Sequence, residues 1–178
     1  MGNKKIIIVV MAIVLTAIAS VLGFDYSAYK PSSLKEIGDK AKERVGCNVK
    51  VTKDEKPGFD FYLEKLRVGI RLTDYPLELS KGEFNIEKIN ILEYYFNTFS
   101  INREHIKIFT HQLEIKESGY SFTLLFQGPL VSPLRKEAKP GDYVLLYVVF
   151  GIYDHFKKRT ILLVNEFQVE KDEVKKKG

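Results

Sequence analysis

The chain has 178 residues, a formal charge of +5, 12 Phe, 10 Tyr, a single Cys and no Trp. One cysteine excludes an internal disulfide, so the core of this domain-sized chain must come from aromatic and aliphatic packing rather than from covalent staples. The charge overstates the folded part, because Lys4 and Lys5 precede an apolar segment and more of the excess lies in the terminal run 171–178.

Met1-Gly2-Asn3-Lys4-Lys5 leads into a run that is apolar from Ile6 to Phe24, with Thr16 and Ser20 as its only weakly polar members. Two lysines, an apolar stretch and then small residues form the layout of a secretory signal peptide. The run sits at the border of the roughly 20 apolar residues that span a bilayer. Residues 1–23 are therefore expected as a signal peptide or as an uncleaved N-terminal membrane anchor. Ala17-Ile18-Ala19 supplies an A-x-A cleavage site, and Val21-Leu22-Gly23 a weaker one. Uncut, the lysine pair would hold the N-terminus in the cytoplasm and send the rest across. The expected location is periplasmic or secreted, alternatively membrane-anchored and facing outside the cytoplasm. The sixth residue is not Ser or Thr, as myristoylation would need, and no Cys closes the apolar run for lipid attachment.

Residues 24–32 read as a spacer. Ser33-Leu34-Lys35-Glu36 is a capping-box pattern, and Leu34, Ile37, Ala41 and Val45 recur at helical spacing, so one short amphipathic helix is expected, ending near Gly46. A short strand at 48–51 and a turn at 53–58 follow. In Leu66–Leu72 every even position is apolar and every odd one is Arg or Gly, the pattern of a strand with one wet face. Over 83–100, Ile86, Ile89, Leu92, Phe96 and Phe99 form a helical stripe that Asn85 could cap, in a stretch whose composition also suits strands; the stripe predicts a helix.

From residue 104 the pattern is β. The apolar phase slips near 108–109, as at a bulge, and Glu117-Ser118-Gly119 turns the chain into Tyr120, Phe122, Leu124 and Phe126. Gln127 to Gly141, with three prolines, is expected as a loop. Tyr143–Tyr153 is nearly continuous apolar sequence, as in a strand covered on both faces, and 160–167 returns antiparallel after a charged turn.

The expected fold is α+β: an N-terminal export helix, a short amphipathic helix, then a mostly antiparallel β domain. Residues 24–170 form one globular domain, strand-rich over 104–168, and 171–178 a basic disordered tail. Pro140-Gly141-Asp142-Tyr143, the long strand, the charged turn and Ile161-Leu162-Leu163-Val164-Asn165-Glu166-Phe167 resemble the closing hairpin of five-stranded OB-type barrels. That resemblance implies an OB-like or small partly open barrel in the C-terminal half, of a kind that binds oligonucleotides or oligosaccharides.

Chemistry-bearing patterns are sparse. His105 and His111 share strand parity but lie about 20 Å apart along one strand, too far to share a metal. His155 sits beside Asp154 in a turn. Gly-x-Ser-x-Gly, the Walker pattern and the dinucleotide fingerprint are absent. No metal or cofactor is expected. An enzymatic site would have to be assembled from scattered residues such as His105, Asp142 and His155. A binding site has Arg67, Arg71, Arg135, Lys136 and Lys139 for positive charge. Export argues against nucleic acid and points to envelope polysaccharide, anionic lipid or another envelope protein. The sequence thus predicts a non-enzymatic exported protein acting by binding or assembly, with an exported hydrolase-like enzyme or a membrane-anchored subunit of an envelope complex as alternatives.

Overall fold

The computed structural model describes residues 24–43, 47–50, 57–86 and 89–170. The expected export segment, the Gly46 helix end, most of the 53–58 turn, the Cys47 side chain and the basic tail lie outside what is described. The architecture is α+β, a mixed and partly open sheet with few helices. Its strands are β1 (Lys30–Pro31), β2 (Cys47–Lys50), β3 (Pro57–Arg71), β4 (Leu77–Glu78), β7 (Phe109–Glu117), β8 (Tyr120–Gln127), β9 (Tyr143–Asp154) and β10 (Arg159–Glu170). They run β1-β3-β9-β10-β8-β7-β4, with β2 also on β3; β5 (Asn85–Ile86) and β6 (Ile89–Asn90) form a separate small hairpin.

Among the described residues three α-helices dress the sheet: α1 (Leu34–Lys42), α2 (Ile91–Thr98) and α3 (Gly128–Glu137). In α1 the expected capping box is formed: Ser33 Oγ accepts from the Glu36 N–H, and the Glu36 carboxylate accepts from the Ser33 N–H. Nine residues cannot sustain a helix by propensity alone. Leu34, Ile37 and Ala41 hold it by packing on the sheet, where each large buried side chain contributes roughly 1.5–3 kcal/mol.

The β3 alternation is as expected: Leu66, Val68, Ile70 and Leu72 are buried, while Arg71 is exposed. The β7–β8 hairpin turns through Ser118 (φ 52°) and Gly119 (φ 81°), the two positive-φ positions of a tight hairpin turn. The β9–β10 pair forms the centre of the sheet. Val144, Leu146, Val148 and Phe150 of β9 face α1 and α3, whereas Val149 and Ile152 face α2. Burial on both faces is why this strand reads as continuous apolar sequence.

Four segments depart from expectation. Gln127–Gly141 is largely helix, because Pro129 occupies the first turn, where a missing N–H costs nothing, and Val131, Leu134 and Ala138 bury one stripe. This helix carries the chain over the sheet, so β10 pairs parallel with β8 and the two hairpins are not a meander. Residues 83–100 split into the β5–β6 hairpin and α2, whose cap is Asn90 rather than Asn85. Residues 103–108 are a 3-10 turn, and the irregularity in the β7–β8 ladder falls between Phe109 and His111. The expected spacer 24–32 is packed: Phe24, Tyr26 and Tyr29 surround the Tyr147 ring at centroid distances of 4.8–5.6 Å.

Candidate functional site

A shared irregularity shapes the α2 face. The β3–β9 register shifts between Phe61 and Glu64, and the β9–β10 register shifts beside Ile161, both opposite Gly151. Bulges bend a sheet and re-aim side chains. Phe59 and Phe61 therefore belong to the α2 face and Leu66 to the other. Leu63, at the bend, is 51% exposed in a strand where Phe59, Phe61, Leu66, Val68 and Ile70 are buried.

Leu63 lies at the mouth of a groove. On one side stand α2 and the 3-10 turn 103–108; on the other stands the aromatic segment 24–29. The inner part is a cavity of about 210 Å³ against Tyr95, Phe96, Val149 and Leu163, with His105, Gln127 and Asn165 as its polar members. A second cavity of about 460 Å³ shares Leu63 and Ile101 with the first and continues to Ala28, Lys30 and Lys65. The polar members of the inner part are largely spent on each other. Asn165 donates to Tyr29 Oη and accepts from Gln127 Nε2, both at 3.0 Å. Tyr95 donates to the Tyr62 carbonyl at 2.8 Å, and burial holds its phenol well above the ordinary 10.0. At the rim, Ser27 bonded to Asp25 holds that carboxyl below the ordinary 3.8, with Lys65 adding to the effect.

A third, polar recess of about 270 Å³ lies over β7 and β8, lined by Glu83, Glu114, Ser121, Thr123, Lys157 and Arg159. Arg159, only 8% exposed at its side chain, meets Glu114 at 3.1 Å and Glu83 and Asp154 at 3.4 Å, and donates to Thr123 at 3.2 Å. Its guanidinium also stands over the Phe84 ring. Lys157 pairs with Glu83. Every charge here has an opposite partner, which is how a buried guanidinium is tolerated.

The sequence-derived candidates scatter. Asp142 and His155 flank opposite ends of β9, about 40 Å apart at the usual rise. Asp142 accepts from the Lys139 N–H in a turn. His105 is exposed and borders the inner cavity, whose lining contains no carboxylate. His111 shares a 2.9 Å contact with Thr110. These histidines are not brought together. His155 instead meets Asp60, a partner that sequence reading missed because the two are 95 residues apart: Nε2 to Oδ2 is 2.8 Å. Asp60 is fully buried, and its Oδ1 has no hydrogen-bond partner among the described residues.

Arg71, Arg135, Lys136 and Lys139 gather at the end of the sheet where α3 stops. Arg71 donates to the Gly141 carbonyl and Arg135 stacks over Tyr75. Arg67 lies along β3 on the same face as Arg71, half-buried and paired in register with Tyr147. Glu137 at the end of α3 and Asp74 and Asp142 in the adjoining turns add acidic residues to the same sequence stretches.

Among the described residues no group of three His, Cys, Asp or Glu could hold a metal ion, and no helix is long and apolar enough to cross a membrane. No family model matches the chain, and no curated protein is recognisably similar to it.

Proposed function

We propose that this is a non-enzymatic protein, exported to the periplasm or beyond or anchored facing outward, that acts by binding an apolar ligand in the groove beside Leu63. The observation that carries the reading is the groove itself: an apolar recess left open on an otherwise closely covered sheet, with an exposed leucine at its mouth. Clefts with apolar walls and few polar groups are the common form of small-ligand sites. The export half of the proposal rests on Lys4-Lys5 and the apolar run behind them.

The strand order also bears on the OB-like reading. Taking the five long strands β3, β7, β8, β9 and β10 as first to fifth, the sheet reads first-fourth-fifth-third-second, with a helix between third and fourth. That chain path suits a partly open Greek-key barrel of OB type, which would bind on its second and third strands and the loops after the first and fourth. In this protein that place is the Arg159 recess. Its cations are already paired with Glu83, Glu114 and Asp154, which disfavours a polyanion there and leaves the apolar groove as the better site.

The enzymatic alternative has one supporting contact, His155 on buried Asp60. Neither residue lines any of the three cavities, so binding is better supported.

The chain has no Trp, so Leu63→Trp installs a single reporter at the groove mouth. Titrating the protein as isolated from cells with dodecanol should give a saturable blue shift that Ile101→Asp abolishes, since Ile101 lines both cavities. No shift, or a shift that survives Ile101→Asp, would sink the groove reading.

A further inference from the structure

The two cavities have unlike ends. The inner end is walled by Tyr95, Phe96, Val149 and Leu163. Asn165 is bonded to Tyr29 and Gln127, and His105 stands at the exposed side, so the buried wall of that end offers little to a charged head. The outer end opens between Lys30 and Lys65. Among the described residues neither lysine has an ion pair. Glu64, which also lines the rim, is held by Lys40, and Asp25 approaches Lys65 only closely enough to be felt electrostatically. The rim therefore keeps a positive excess next to an apolar channel.

We infer that the ligand is a single-chain fatty carboxylate, its tail running past Leu63 and Ile101 into the inner cavity and its carboxylate lying between Lys30 and Lys65. This rests on the groove being a ligand site. The inner cavity, about 210 Å³, suits one hydrocarbon chain rather than the paired chains of a diacyl lipid. Charge complementarity fixes the sign of the head. Two ammonium groups serve as point charges for a compact anionic head; the carboxylate is its smallest form on a single chain, and a phosphate head is the comparison the experiment makes. The same rim lies beside Phe24, where the apolar N-terminal run enters the domain.

The experiment uses the Leu63→Trp reporter and the carboxylates from decanoate to tetradecanoate, each below its micelle concentration. Dodecanol supplies the uncharged comparison and lysophosphatidylglycerol the lipid-head comparison. Affinity should rise about fourfold per added methylene until the inner cavity is full. Dodecanoate should bind at least about fivefold more tightly than either dodecanol or the lysolipid. The Lys30→Gln/Lys65→Gln variant, changed only at exposed side chains, should erase the advantage over dodecanol while leaving dodecanol within about twofold. Raising salt to about 0.5 M should weaken the wild-type carboxylate complex alone, because exposed charges are screened. Dodecanol binding as tightly as dodecanoate, or a double variant without effect, overturns the carboxylate inference and leaves the groove reading standing. A tighter lysolipid moves the head group to a phosphate and overturns it equally. No response to any amphiphile removes both.

Discussion

At the residue scale, the sharpest test of the folded structure is Asp60. A fully buried carboxyl with one oxygen on His155 and the other without a partner among the described residues depends heavily on that single bond. Truncation by His155→Ala strands it, and urea unfolding should register a loss of about 2 kcal/mol, the scale of a hydrogen bond to a charged group plus the cost of the orphaned partner. Replacing both residues by apolar ones should cost less than the sum of the two single changes. Lys35 and Tyr120, bonded to Asp39, hold its carboxyl below the ordinary 3.8, and the Ser33 N–H holds Glu36 below 4.5. A depressed folded pKa contributes stability that is present above the ordinary value and is lost as pH falls through the folded one. Amide protection factors in α1, taken relative to intrinsic exchange at each pH, should therefore hold at neutral pH and fall once pH drops below about 4, ahead of those of the central strands.

At the element scale, two glycines make opposite forecasts. Alanine in a helix is ordinarily worth about 1 kcal/mol over glycine. At Gly38, however, an added Cβ would lie 2.4 Å from the root of the Tyr120 ring, which is itself held by Asp39 and Lys42. The clash should outweigh the propensity, so Gly38→Ala is expected to destabilise by about 1–3 kcal/mol. At Gly69 the obstacle is the tip of Tyr143, a side chain 40% exposed and free to swing out, so Gly69→Ala should change stability by less than about 0.5 kcal/mol. Paired melting curves of the two variants check both forecasts.

The elements also show what a sequence can carry. The α1 cap, the β3 alternation, the β7–β8 turn and the doubly covered β9 are local patterns and were legible. The α3 helix was hidden by its prolines, although Val131, Leu134 and Ala138 carry its apolar stripe. The bend at Leu63 left a trace in the apolar phase, odd at Phe59 and Phe61 and even from Leu66 onward. The groove itself joins residues from the N-terminal segment, β3, α2, β8, β9 and β10, and no local spacing encodes that meeting. The burial of Arg159 was equally illegible, since its carboxylates come from positions 83, 114 and 154.

At the scale of the whole molecule, the two sheet faces do different things. One is closed by α1 and α3; the other is only partly covered, by α2 and by the aromatic segment 24–29, and the groove is the interval between those two covers. Export and groove are separable. Intact mass with cell fractionation should find either a soluble envelope species lacking about the first 19–23 residues or a full-length membrane species; full-length cytosolic protein would contradict export without touching the groove. The groove is tested most directly by methyl NMR of the protein as isolated, titrated with dodecanol. The expected result is saturable shifts confined to the methyls of Leu63, Ile101, Ile108, Val149 and Leu163. Shifts centred instead on Leu146 and Val164 of the opposite face, or none that saturate, would contradict it.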